Sequence, residues 1–187
     1  RPNITVFEMD QQSVISCKLD LLARIRPSPK PKCNVVRVAA NLSEIGWDAS
    51  LVLAGFSWES PAVWIVEGLV YYFEEEQVES LFRTVNSLAC PGSRLCVSCV
   101  SEIGIRAQTS AAQEVSNSPS EEAVVSASDV STMELSSKFK WACSTPETYF
   151  PSVGFQVCEI AWLGGDKANY GRWPQGCEPS RKTMYIT

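Results

Sequence analysis

Apolar and polar positions along this chain follow two recurring patterns. Stretches rich in β-branched and aromatic residues predict strands, and the stretches between them carry apolar residues at helical spacing. The predicted helices cover residues 11–25, 46–56 and 74–88. The first predicted strands read ITVFEMD, NVVRVAANL, AVWIVEG and RLCVSCV. Because strands and helices alternate, we expect an α/β fold in which helices cover an open sheet of parallel strands.

The second half of the chain departs from this alternation. Residues 101–138 are rich in Ser, Ala and Glu and poor in aromatic residues. We therefore expect an insertion within the domain that is disordered in part. Two closing strands are predicted after it, GFQVCEIAWL and TMYIT, and the loop between them contains Arg172.

The composition restricts the chemistry. A formal net charge of −5 argues against nucleic acid as a partner, because a surface that tracks phosphates is normally rich in clustered Lys and Arg. No apolar run is long enough to cross a bilayer, so no membrane partner is expected. The chain has no histidine. Nucleophiles of the Ser-His-Asp and Cys-His kinds are therefore excluded, and a general base would have to be a perturbed Glu, Asp, Lys, Tyr or Cys.

The eight cysteines lack the dense spacing of a small secreted disulfide scaffold. We interpret them as reduced thiols of an intracellular protein. The expected compartment is the cytoplasm, and an organelle is the alternative. Cys96 and Cys99 form a CxxC motif inside a predicted strand, where alternation directs the two side chains to opposite faces. Without a second CxxC motif or any histidine, no metal site is expected, and the thiols are predicted to pack in the core.

Two predicted strands end on an acid. Asp10 closes VFEMD, where a carboxylate can accept hydrogen bonds from both hydroxyls of a ribose, although it can also serve as the N-cap of the next helix. Glu67 ends the apolar run AVWIV. Since an ionised carboxylate is rarely buried without a partner, Glu67 must reach either water or a cationic group held in a site.

Seven blocks of the sequence, in this order, resemble the leucine carboxyl methyltransferase family, in particular its microbial and plant S-adenosylmethionine-dependent branch. They cover nearly all of the chain outside the insertion: VFEMDQ…K, VAANL, W…AGF, WIVEGLVYY, LFRTVNSLACPGSRL, FKW…P…GF and YGRWP.

The resemblance implies the Rossmann-like class I methyltransferase fold, a doubly wound sheet with strand order 3-2-1-4-5-7-6 and an antiparallel strand 7. The six predicted strands correspond to strands 2 to 7. No segment matches strand 1 or the glycine-rich turn that follows it. We therefore expect residues 1–187 to be the C-terminal portion of a single methyltransferase domain, unstable and inactive when isolated.

The resemblance also implies a site for S-adenosylmethionine at the carboxyl ends of the strands. Asp10 would bind the ribose, Asn41 and Leu42 the adenine, and Glu67 the methionine portion. The family usually has Asp where this chain has Asn41, and Asn accepts hydrogen bonds without a charge. Arg172 would bind the carboxylate of an acceptor or form an ion pair within the fold.

The implied reaction is methyl transfer to an oxygen nucleophile, a carboxylate on a small molecule or a protein, and no residue is assigned as a catalyst. A non-catalytic relative that binds a nucleotide or a partner protein is the alternative, because Asn41 departs from the family pattern and the insertion is long. An NAD-dependent oxidoreductase shares the Rossmann-like pattern but fits the EGL and YGR blocks poorly.

Overall fold

The computed structural model describes residues 4–25, 30–103, 105, 138–167 and 183–186. Arg172 and most of the insertion predicted at residues 101–138 lie outside these ranges. The chain divides into two compact units, Arg1–Ser60 and Pro61–Thr187.

The described residues of the first unit form two parallel strands and two helices. Strand β1 spans Thr5–Asp10, helix α1 spans Gln12–Arg24, strand β2 spans Asn34–Ala39 and helix α2 spans Trp47–Leu53. The register places Asp10 opposite Ala39, so both strands end at the same edge of the sheet. Among the described residues of this unit, the buried side chains are Ile15, Val38, Trp47 and Leu51.

The described residues of the second unit form a four-stranded sheet, whose strands in spatial order are β3 (Val63–Val66), β4 (Arg94–Val100), β6 (Thr183–Ile186) and β5 (Ile160–Trp162). Strands β3 and β4 are parallel, whereas β6 runs antiparallel to both of its neighbours. No helix among the described residues is long and apolar enough to cross a membrane. The elements of this unit, in chain order, are β3 (Val63–Val66), a 3₁₀ turn (Val70–Tyr72), α3 (Glu75–Ser87), β4 (Arg94–Val100), α4 (Pro146–Ser152), β5 (Ile160–Trp162) and β6 (Thr183–Ile186).

The strand order expected from the resemblance is confirmed within each sheet. In the numbering of the class I fold, the two sheets read 3-2 and 4-5-7-6, and strand 7 is antiparallel as expected. Among the described residues, β1 and β3 each pair with a single strand.

The core of the second unit is built on one face of α3. Its apolar residues recur at helical spacing and are buried: Val78, Leu81, Phe82 and Val85. The ring of Phe82 meets the ring of Phe150 in α4 edge to face, with 5.2 Å between the centroids. This packing fixes α3 and α4 beside each other, as aromatic pairs with this geometry do in protein cores.

The predicted closing strand GFQVCEIAWL is shorter than expected. Of this segment, only Ile160–Trp162 joins the sheet. The chain turns at Gly154, where φ is 98°, and a Cβ atom there would lie 2.5 Å from Nδ2 of Asn86. The residues that follow this turn are apolar enough to predict a strand, but none of them before Ile160 pairs with a strand in the described part of the chain.

Candidate functional site

Asp10 is the last residue of β1 and is exposed. Its Oδ1 accepts a hydrogen bond of 2.8 Å from the backbone N–H of Gln11. The N-cap of α1 is Gln11 and no side chain caps the helix, so the alternative role of Asp10 as N-cap is wrong. No other described residue donates a hydrogen bond to the Asp10 carboxylate. This carboxylate therefore has an oxygen available to a ligand.

Glu8 lies two residues earlier on the same face of β1, because side chains alternate along a strand. Its carboxylate forms ion pairs with Lys18 of α1 and with Arg37 of β2, where Nε lies 3.3 Å from Oε2. Only 25% of the Glu8 side chain is exposed. The acid within the sheet is thus neutralised by two cations, whereas Asp10 at the edge is not paired with a cation among the described residues.

Asn41 follows β2 and begins a tight turn. Its Oδ1 accepts hydrogen bonds from the backbone N–H of Ser43 at 3.2 Å and from the Ser43 hydroxyl at 2.8 Å. Its Nδ2 donates to Oε1 of Glu44 at 2.6 Å. The N–H of Glu44 closes the turn on the Asn41 carbonyl at 3.2 Å. Both ends of the Asn41 side-chain amide are therefore engaged inside the turn.

The turn lies at the same edge of the sheet as Asp10. The N–H of Ala40 donates to the carbonyl of Asp10 at 2.9 Å, which joins the two strand ends directly. Leu42 is half-buried within the turn and offers an apolar surface there. The carboxyl ends of parallel strands are where ligands bind in open α/β sheets. The first unit thus brings together three of the predicted residues, Asp10, Asn41 and Leu42.

In the second unit, Glu67 directly follows β3 and is exposed. Its carboxylate makes no ion pair or hydrogen bond with a described residue. The next residue, Gly68, has φ of +70°, and its N–H donates to the hydroxyl of Ser98 at 3.0 Å. Ser98 is buried in β4. The apolar strand can therefore end on a carboxylate because the chain turns here and leaves Glu67 open to solvent or to a ligand.

Sequence reasoning missed the contributions of Glu44 and Ser98. The turn-forming residues Asn41 and Ser43 were the available signal for Glu44, because Asn side chains commonly close turns with the residues that follow. Ser98 is a polar residue inside an apolar strand, which suggests a hydrogen bond but does not reveal its partner. Arg172, the predicted acceptor-binding residue, lies outside the described residues.

The thiols were predicted to pack in the core, which is confirmed for Cys99 and Cys143 of the second unit and wrong for Cys17 and Cys158, which are exposed. Burial raises the pKa of the Cys143 thiol to about 11. Burial also raises the pKa of Cys99, with a smaller contribution from the neighbouring Cys143. Both thiols are therefore protonated near neutral pH and unsuited to act as nucleophiles. Within the described ranges, no group of three or more Cys, Asp or Glu side chains could hold a metal ion.

The chain has the fold of methyltransferases of known structure. It superposes on a DUF574 family protein from Streptomyces avermitilis with a TM-score of 0.60 at 17% identity, covering 99% of this chain and 64% of that one. The glycopeptide N-methyltransferase MtfA in complex with S-adenosyl-L-methionine gives a TM-score of 0.50 at 13% identity, covering 97% and 70%. The predicted class I methyltransferase fold is confirmed.

The sequence comparisons each cover about half of the chain or less. Residues 1–86 match the leucine carboxyl methyltransferase family, which confirms the resemblance over that part. A "Putative S-adenosyl-L-methionine-dependent methyltransferase" from Mycobacteroides abscessus is 44% identical over 91 residues, which are 49% of this chain and 29% of the relative. The matched part thus spans less than a third of that relative's length.

Proposed function

We propose that this protein binds S-adenosylmethionine and acts as a methyltransferase on an oxygen nucleophile, a carboxylate carried by a small molecule or a protein. The observation that carries the proposal is the polar edge of the first unit, where Asp10 and the Asn41 turn meet at the carboxyl ends of two parallel strands. The relatives named as methyltransferases support it, since the family match covers this edge.

The residues at this edge suit the nucleoside part of the donor. The exposed carboxylate of Asp10 has lone pairs left for the two ribose hydroxyls, since the one described donor to it is the N–H of Gln11. Carboxylates accept such hydrogen bonds more strongly than neutral oxygens do. Leu42 presents an apolar side chain for the adenine ring. The side chains present therefore fit a nucleoside.

Bound S-adenosylmethionine supplies a methyl group on a sulfonium, which is activated for displacement by a nucleophile. A carboxylate acceptor is ionised at pH 7, so the protein needs to hold the two reactants in line more than it needs a general base. This requirement suits a chain without histidine. The work of the residues at the edge is to bind and orient the nucleoside.

We extend the proposal to two residues predicted from the resemblance. Glu67 has an exposed, unpaired carboxylate among the described residues, which would stabilise the cationic methionine portion of the donor. Arg172 would bind the acceptor carboxylate, because the guanidinium can donate two parallel hydrogen bonds to it.

Calorimetric titration of the full-length protein with S-adenosylmethionine tests the proposal. We expect binding with 1:1 stoichiometry and competition by S-adenosylhomocysteine. Glu67→Gln should weaken binding of S-adenosylmethionine more than that of S-adenosylhomocysteine, because only the former carries the sulfonium charge. Glu59→Gln, another exposed acid, is the matched control. Absence of any binding heat over a range of temperatures would refute the proposal.

A non-catalytic nucleotide-binding protein is the second candidate. The observation that favours it is the turn after β2, where Asn41 replaces the acid of the family and both lone pairs of its Oδ1 are used by Ser43. Binding of S-adenosylhomocysteine without methyl transfer to any of a panel of carboxylates, phenols and amines would favour this candidate.

A further inference from the structure

The orientation of the Asn41 amide follows from its neighbours. The backbone N–H of Ser43 can only donate, so the atom that faces it at 3.2 Å must be the carbonyl oxygen Oδ1. The amide nitrogen Nδ2 then faces Glu44, and the distance of 2.6 Å to Oε1 indicates a strong hydrogen bond to a charged acceptor. The donor and acceptor assignment of this turn is therefore fixed by its own hydrogen bonds.

This arrangement leaves Asn41 poorly suited to accept a hydrogen bond from the amino group of an adenine. An amide oxygen has two lone pairs, and the N–H and hydroxyl of Ser43 occupy both. A further donor would have to displace one of these hydrogen bonds. The lone pairs that remain available at this turn are those of the neighbouring Glu44 carboxylate.

Glu44 has the properties that Asn41 lacks. It is exposed and charged, and an ionised carboxylate offers about four lone-pair sites. One site receives Nδ2 of Asn41, and no other described residue donates to this carboxylate. The hydrogen bond from Asn41 holds the Glu44 side chain against the turn. The carboxylate therefore lies beside the position that the family's acid would occupy.

We propose that Glu44 is the residue that accepts the exocyclic amine of adenine, and that Asn41 is a positioning residue which holds it there. This inference rests on the proposed binding of S-adenosylmethionine. The negative charge that Asn41 does not carry is thus supplied by Glu44. Because the carboxylate accepts but does not donate, it selects an amine at this position of the purine and repels a carbonyl oxygen.

The experiment compares S-adenosylhomocysteine with S-inosylhomocysteine, in which a carbonyl oxygen replaces the amine, by calorimetry on the full-length protein. We expect the wild type to prefer the adenosyl ligand by about tenfold or more. Glu44→Ala should abolish most of this preference and leave the affinity for the inosyl ligand unchanged or higher. Asn41→Ala should reduce the preference in part, and Glu59→Ala should leave it at the wild-type value.

Three results would overturn the inference. A Glu44→Ala variant that keeps the full preference for the adenosyl ligand would show that another group accepts the hydrogen bond from the amine. If Asn41→Ala loses all preference while Glu44→Ala keeps it, the hydrogen bond from the amine is accepted by Asn41. A wild type that binds neither ligand would overturn the proposed function and, with it, this inference. Thermal unfolding of each variant separates a change in the site from a loss of folding.

Discussion

Replacement of Asp10 by Asn tests the nucleoside site with little disturbance of the fold. The amide oxygen of the new side chain can still accept the N–H of Gln11, which is the one described hydrogen bond of this side chain. What the change removes is the charge and one acceptor oxygen, both of which the proposed ribose contact needs. The variant should therefore fold normally and bind weakly.

The expected loss can be worked from the hydrogen bonds at stake. Hydrogen bonds to a charged group contribute about 1.5–3 kcal/mol each, and Asn keeps one neutral acceptor in place. We expect a net loss of about 2–3 kcal/mol, which raises the Kd for S-adenosylhomocysteine about 30- to 150-fold. Asp20→Asn, an exposed acid on α1, should change the Kd less than about twofold, because exposed charges remote from the site contribute little.

The assay is calorimetric titration with S-adenosylhomocysteine and with its 2′-deoxy analogue. The wild type should lose affinity when the 2′-hydroxyl is removed, and Asp10→Asn should lose much less, because the two changes delete the same contact. Equal losses from the 2′-deoxy change in both proteins would refute the ribose contact. A fall in melting temperature without a change in affinity would indicate a structural role for Asp10 instead.

Three further predictions concern the second unit. Ser98→Ala removes the acceptor of the Gly68 N–H and should lower the free energy of unfolding by about 1–3 kcal/mol in urea titrations, an effect that Ser98→Thr should largely avoid. Gly154→Ala should destabilise by about 1 kcal/mol or more, because φ is +98° and the new Cβ would meet Asn86; the added change Asn86→Ala should recover only the steric part. The pKa of Cys143 is raised to about 11 from an ordinary 9.0, so its contribution to stability is complete below pH 9 and falls as the pH rises from 9 to 11, by up to about 3 kcal/mol. Cys143→Ala should remove this part of the fall in urea midpoints measured against pH, and the part due to Cys99, whose pKa burial also raises, should remain.

The fold could be predicted from the sequence wherever burial alone decides the pattern. Strand β4 is a largely apolar run that is mostly buried, and α3 carries its buried residues on one face. Such patterns reflect local rules, since alternation and helical spacing are properties of neighbouring residues. The prediction of a strand over GFQVCEIAWL was too long, because an apolar pattern does not show whether a partner strand is available. Pairing is a long-range property.

The candidate site was predictable in position and only partly in its contacts. A polar residue that closes an apolar run marks the end of a strand, which predicted the positions of Asp10 and Glu67 in their own sheets, whereas Asn41 was predicted from the family resemblance. The hydrogen bond between Ser98 and Gly68 joins two strands distant in sequence, and no local signal specifies it. The use of Asn41 by its own turn depends on side-chain geometry that composition does not determine.

The contrast between Glu8 and Asp10 explains why the site lies at the edge of the first sheet. Both acids belong to one face of β1, and a carboxylate within a sheet loses hydration that cations or hydrogen-bond donors must replace. Lys18 and Arg37 provide that replacement for Glu8, and the same ion pairs leave it unable to bind a ligand. Asp10 keeps its hydration because the strand ends there, so its carboxylate carries charge without a cation among the described residues. A ligand with several hydroxyl donors can replace that water. A carboxylate at the last position of the strand can therefore carry its charge and also bind a ligand.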